Sequence, residues 1–294
     1  MRYLKIFLIA IFTLCLALFA QKKTDGFTKA SITPHHPFDP RWEITPLSAA
    51  ALGEVQYVLG QSFTYLGCGG QSHIFESSDG KYVIKFFKQR VFEMPLWVEY
   101  GPFTQYRDKK RLKRIDKKER DFTSYKVSLE ELQGETGVIF VHLNPSQDLQ
   151  KKLVIQDNLH IQHEIDLDHM DFIIQRKGEL SLERISRLMQ EGNVDSAKRS
   201  VESLLDLIVI RSKKGFHDRD PNIRTNCGFL GEYAIKIDVG RFVKIEKMKD
   251  PKVYTQEVIR IGAPFRKWLE ETYPELVSAS DAKMRALLEE YHGL

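Results

Sequence analysis

Five side chains able to handle a metal ion and a phosphate lie in one short stretch: Asp218, Asp220, Asn222, Asn226 and Asp238. Carboxylate and amide oxygens suit a hard cation such as Mg²⁺, which is usually held by one or two carboxylates together with substrate phosphates. A carboxylate at the end of a buried strand, facing another on a loop, is costly unless a cation neutralises the pair. A second group stands earlier in the chain: Gly67, Gly69 and Gly70, followed by Lys85. Backbone amides of a glycine loop approach phosphate oxygens closely because no Cβ intervenes.

The elements around these residues follow from periodicity. Val201, Leu204, Leu205, Ile208 and Val209 repeat at helical spacing and predict a buried helix over 195–214, leading into the aspartate stretch. Tyr233 to Ile237 reads as a short buried strand that delivers Asp238. Phe63 and Tyr65 mark a first strand, Ile74-Phe75 a second and Tyr82–Phe87 a third, with a turn at Ser77-Ser78-Asp79-Gly80. The glycine loop therefore joins two strands. Dinucleotide-binding and Walker-type loops join a strand to a helix, so the context excludes both. Residues 107–132 predict a helix whose apolar face carries Leu112, Ile115, Phe122, Leu129 and Leu132, with Glu119 on the same face. Val138–Leu143, a hairpin of 153–156 and 159–167 turning at Asp157-Asn158, and Phe172–Ile174 complete a sheet. From Leu182 onward the pattern is mainly helical, with one late helix carrying Phe265, Trp268 and Leu269 and stopping before Pro274.

Asp218-Arg219-Asp220, then Asn226, then Asp238-Val239-Gly240 resemble the catalytic loop and the metal-binding D-F-G element of the protein-kinase-like family. Gly67 and Gly69 match the first two glycines of its G-x-G-x-x-G-x-V loop, Ser72 replaces the third, and Ile74 stands at the valine position. Tyr82-Val83-Ile84-Lys85 is similar to V-A-I-K. The resemblance implies an α+β, kinase-like two-lobed domain: an N-lobe of antiparallel sheet plus helix, and a mainly helical C-lobe. It implies ATP and Mg²⁺ as cofactors. Lys85, held by Glu119, would orient the phosphates, with Glu130 and Glu131 as rivals for Glu119. Asp220 would accept the acceptor's proton, and Asp238 and Asn226 would hold the metal. The family places its asparagine five residues after the aspartate. Here the gap is six, Thr225 occupies the family's position, and Asn222 competes with Asn226. The likeness covers roughly residues 61–245, and only 54 residues follow Gly240. The C-lobe is thus trimmed, and the acceptor stays open between a protein and a small molecule. The implied activity is phosphoryl transfer from ATP; the alternative is an exported pseudokinase that binds a nucleotide or a protein.

The N-terminus adds a location. Arg2 and Lys5 precede an apolar run, residues 6–20, interrupted only by Thr13. This reads as a secretory signal or short membrane anchor, so the protein is expected to be exported. Residues 21–46, with four prolines, read as an extended linker in which His35 and His36 are solvated. The lobes follow at 47–178 and 179–294, the first opening on a helix at Thr45-Pro46. Net charge is +4, yet residues 107–120 alone hold nine basic and three acidic side chains. The basic character is therefore local and does not indicate a nucleic-acid partner. The three cysteines form no C-x-x-C pair, so no zinc site is expected; Cys68 and Cys227 are either bonded or free.

Overall fold

The computed structural model describes residues 2–101 and 104–292; the side chains of Arg2, Leu96, Trp97, Tyr291 and His292 lie outside what is described. The chain forms two compact units, residues 1–118 with 140–175, and residues 119–139 with 176–294.

The first unit opens with helix α1 (Arg2–Lys23). Its segment Tyr3–Lys23 is long and apolar enough to cross a membrane, at mean hydropathy 2.4, and none of it is buried. The next segment corrects the expectation of a solvated linker. Phe27, Ile32 and Trp42 are buried, and the short helix α2 (Lys29–Ile32) is capped by the Thr28 hydroxyl. Phe27 packs edge-on against Phe75 at 5.2 Å between ring centres. His36 is no solvated residue either: its Nε2 lies 2.8 Å from the fully buried carboxylate of Asp171. Prolines signal an irregular backbone; they do not signal exposure. Helix α3 (Ala49–Leu59) starts at Ser48, whose hydroxyl accepts from Ala51 N, and so lies later than Thr45-Pro46.

A seven-stranded sheet forms the body of this unit, in the order β4-β7-β3-β2-β1-β5-β6. Its strands are β1 (Phe63–Cys68), β2 (Ser72–Ser77), β3 (Tyr82–Phe87), β4 (Val138–His142), β5 (Lys152–Gln156), β6 (Gln162–Asp166) and β7 (Phe172–Arg176). Strands β1, β2 and β3 run antiparallel. The β5–β6 hairpin joins them through a parallel β1–β5 pairing, so the sheet is mixed. Its second arm begins later than the alternation suggests. Leu159 and Ile161 are exposed and belong to a turn in which Asp157 Oδ1 accepts from both of their amides. Phe63, Phe75, Ile84, Phe86 and Phe172 fill the core.

Helices α4 (Leu96–Glu99) and α5 (Thr104–Glu130) follow β3, and α5 divides between the units after Lys118. Its early turns carry the basic run in solvent, and Leu112 and Ile115 are exposed. Only from Asp121 onward does α5 bury a stripe, made by Phe122, Tyr125 and Leu129.

In the second unit, α6 (Gln133–Thr136), α7 (Ser181–Gln190) and α8 (Val194–Lys213) precede the aspartate stretch. Strands β8 (Glu179–Leu180), β10 (Cys227–Leu230) and β11 (Tyr233–Lys236) form one small sheet; β9 (Phe216–Asp218) and β12 (Phe242–Lys244) form another. Helix α9 (Ile223–Asn226) lies between β9 and β10, and α10 (Pro251–Thr272) and α11 (Val277–His292) close the unit. Leu204, Leu205, Val258, Phe265 and Leu269 meet in its helical core. All three cysteines are free, and burial pushes the Cys227 thiol up to about 11.

Candidate active site

In the first unit the glycine loop joins β1 to β2 as its context predicts. The ladder slips between Tyr65 and Gly67, and Gly69 N donates to Ser72 O at 3.0 Å. A Cβ built on Gly67, Gly69 or Gly70 would meet no protein atom within 4 Å, and none of the three has a left-handed φ. Neither packing nor backbone conformation demands glycine there, which leaves room for an approaching ligand. Lys85 is half-buried on β3, directly opposite Ile74 on β2. Sequence reasoning missed Lys88, which is buried and donates from Nζ to Gly69 O at 2.7 Å. It follows the strand without a motif of its own.

In the second unit the aspartate stretch separates into a buried anchor and an exposed rim. Asp218 is fully buried. Its Oδ2 lies 2.7 Å from Lys236 Nζ and 3.2 Å from Arg211 Nη1, and its Oδ1 accepts from Asp220 N at 2.8 Å. Lys236 Nζ also donates to the carbonyl of Asp220. Burial pulls the Arg211 guanidinium below its ordinary value, opposed by the charges of Asp218 and Glu257. The costly buried carboxylate is therefore Asp218, and protein cations neutralise it; the sequence alone pointed to a metal ion instead.

Asp220 and Asp238 are both exposed. Among the described residues the carboxylate of Asp220 makes no hydrogen bond or ion pair. Between these two aspartates sits Asn226, whose Nδ2 donates to Asp220 O at 3.1 Å and whose Oδ1 accepts from Thr225 Oγ1 at 3.0 Å. Asn226 O in turn accepts from Ile237 N at 2.8 Å, next to Asp238. Asn222 serves a different purpose: it caps α9, with Oδ1 accepting from Arg224 N. Of the two asparagines, Asn222 thus caps α9, and Asn226 bonds to the Asp220 carbonyl.

Asp238 is held from the side of α5. Ser124 Oγ donates to Val239 O and accepts from Phe242 N, bracketing the Asp238-Val239-Gly240 turn. Burial first, then the charges of Asp121 and Asp238, raise the Tyr125 hydroxyl well above its ordinary value. Glu119 is exposed and lies off the buried stripe. The buried carboxylate of this segment is Asp121, whose Oδ1 lies 3.2 Å from Arg120 Nε. The apolar spacing misplaced the stripe because Leu112 and Ile115 do not belong to it.

Among the described residues no three His, Cys, Asp or Glu side chains gather into a ready metal site. Carboxylate and amide oxygens, as on Asp238 and Asn226, are the donor types that Mg²⁺ takes together with phosphates and water.

No family model matches this chain, and no curated protein matches it. Several solved structures resemble it, three of which follow. The bifunctional kinase-methyltransferase WbdD is 16% identical at a TM-score of 0.33, with 85% of this chain and 47% of that chain covered. The Rv3197–erythromycin complex from Mycobacterium tuberculosis is 17% identical at 0.35, with 80% and 60% covered. The streptomycin–ATP–APH(2")-IIa ternary complex is 12% identical at 0.28, with 82% and 97% covered. The chain thus spans about half the length of the first of these and three-fifths of the second. Its own strand order, glycine loop and aspartate stretch make the fold an α+β, kinase-like one.

Proposed function

We propose that this protein is a kinase-like phosphotransferase that moves the γ-phosphoryl group of ATP to a hydroxyl acceptor. The observation that carries the proposal is the Asn226 amide. Its Nδ2 donates to the Asp220 carbonyl and its backbone carbonyl accepts from Ile237 N, one residue before Asp238, while the Asp220 carboxylate makes no hydrogen bond or ion pair among the described residues. Asp238 and Asn226 would hold Mg²⁺, which supplies neutralisation of phosphate charge. The loop amides around Gly67, Gly69 and Gly70 bind phosphate oxygens, and Lys85 orients them. The resemblance gives that lysine a helix carboxylate, Glu119, with Glu130 and Glu131 as rivals. Asp220 takes the proton of the acceptor hydroxyl as the acceptor oxygen bonds to the γ-phosphorus. The bond from that phosphorus to the β–γ bridging oxygen breaks, and ADP leaves with the electron pair. Catalysis of this type is mainly positioning and charge neutralisation, so loss of one part is felt throughout.

Thermal shift and ADP release together test the reading. Ligand at about 100 times its dissociation constant stabilises by roughly 2.7 kcal/mol. Mg-ATP should raise Tm in the wild type and in Asp220→Asn, but less in Asp238→Asn and Lys85→Ala. Turnover should be lost in all three variants. No shift with ATP, ADP or GTP, with Mg²⁺ or Mn²⁺, refutes nucleotide binding. Ser72 in place of the third glycine favours a second reading, a nucleotide-binding pseudokinase. Binding without turnover above the Asp220→Asn background selects it. We further propose that α1 anchors or exports the domain. A fusion of residues 1–30 to alkaline phosphatase should then be active, and an inactive, well-expressed fusion contradicts this.

A further inference from the structure

A cavity of about 310 Å³ lies against the catalytic loop, entirely within the second unit, with Asp220 in its wall. Two arginines, Arg224 from α9 and Arg260 from α10, share that wall, and Ile261 and Phe265 give it an apolar side. The side chain of Arg224 is exposed and makes no hydrogen bond or ion pair among the described residues. Arg260 donates from Nε and Nη2 to Glu257 Oε2, at 3.0 and 2.8 Å. Glu257 does not cancel it alone, because its Oε1 also lies 3.1 Å from His217 Nδ1 and 3.8 Å from Arg211 Nη2. Arg211 and Lys236 balance Asp218 and Glu257, two cations against two anions. What remains at the cavity is Arg224 and Arg260 against Asp220, a net positive charge. Pro264 also lines the cavity from inside α10. A proline has no N–H to give the carbonyl four residues back, so the Arg260 carbonyl lacks its helical donor.

We propose that this cavity binds the acceptor, and that the acceptor is a small hydroxylated molecule bearing a phosphate or carboxylate. The inference rests on the phosphotransfer reading and narrows it. Arginine holds such anions through paired N–H groups in a fixed fork. The volume stands at the low end for small-molecule sites, about 300–1,000 Å³, and suits a molecule near the size of a monosaccharide phosphate. The anion sits on Arg224 and Arg260, and the reacting hydroxyl of the same molecule faces Asp220. The proton passes to the Asp220 carboxylate and the new O–P bond forms as described above. An uncharged polyol gains no charge-assisted pairing with either guanidinium.

The test uses the full chain in a mild detergent. Thermal shift without nucleotide is measured with glucose 6-phosphate, glycerol 3-phosphate, glucuronate and glucose. At least one anionic probe should stabilise the protein, and glucose should not. The phosphate and carboxylate arms separate the two anion types. ADP release with Mg-ATP is then measured for the same compounds and for an acidic protein, casein. Arg224→Ala should raise KM for an anionic acceptor on the order of tenfold to a hundredfold, as loss of a charge-assisted contact does, with a smaller change in kcat. Arg224→Lys should recover part of the loss. Arg224 is exposed, so its variants fold; Arg260→Ala provides the second arm. No stabilisation by any anionic probe, equal turnover with glucose, turnover with casein alone, or an unchanged KM in Arg224→Ala overturns the inference. Failure of Mg-ATP to shift Tm sinks the phosphotransfer reading instead, and the nucleotide-free anion titration still reports on the cavity.

Discussion

Asp218→Asn removes one negative charge from the base of the loop that carries Asp220 and keeps the side chain's size. In the wild type this carboxylate, fully buried, faces Lys236 Nζ at 2.7 Å and Arg211 Nη1 at 3.2 Å. The asparagine retains an oxygen for Asp220 N, but its amide hydrogens then meet two cationic donors. Breaking a buried ion pair from one side costs about 3–5 kcal/mol, since the partner charge is left uncompensated. For a unit of this size each kcal/mol moves Tm by about 2–4 °C. Calorimetry should therefore show a drop of roughly 6–20 °C. In Asp218→Asn/Lys236→Met one charge of each sign is gone, and replacing buried pairs by apolar groups is often neutral or stabilising. That double variant should regain more than half of the loss. The reasoning fails if the single variant melts within about 3 °C of the wild type, or if the double variant is no better than the single.

Two histidines of the first unit should titrate stability in opposite directions. Burial lowers the His36 value, but the hydrogen bond and charge of Asp171 outweigh it, so His36 is raised on balance. Its stabilisation is full below the unfolded value of about 6.5 and is lost as pH rises through the folded value; His36→Gln should erase that alkaline decline in a Tm–pH series. Burial depresses His73 to about 4, so acidification from about 6.5 downward favours the unfolded chain, and His73→Phe should flatten the acid limb. A Cβ on Gly228 would meet the backbone oxygen of Glu179 at 2.7 Å, whereas one on Gly262 would meet the flexible Met284 Cε at 2.5 Å. Gly228→Ala should cost about 1–3 kcal/mol in urea unfolding and Gly262→Ala distinctly less; the reverse order refutes the packing account. Gly67→Ala and Gly69→Ala meet no neighbour within 4 Å, so Tm without ligand should hold while the Mg-ATP shift shrinks. A fall in ligand-free Tm would mean that the loop glycines serve the fold.

Residue type and order carried the fold and the placing of the glycine loop between two strands, because strand alternation and turn chemistry are local properties. Exposure was not legible, because it depends on what the rest of the chain brings up. Glu119 sat on an apolar stripe only by counting Leu112 and Ile115, both of which face water. Two residues on, Asp121 is buried instead. Likewise the prolines of residues 21–46 signalled a linker, while Phe27, Ile32 and Trp42 are buried. The six-residue gap between Asp220 and Asn226 shows the same limit from the other side. Spacing counts covalent steps, and a motif that requires five rejects six. The chain takes up the surplus residue in α9, capped by Asn222, and the Asn226 amide still reaches the Asp220 carbonyl at 3.1 Å. A degenerate count along the chain is therefore compatible with an intact arrangement, provided that a buried anchor such as Arg211–Asp218–Lys236 fixes the loop from beneath.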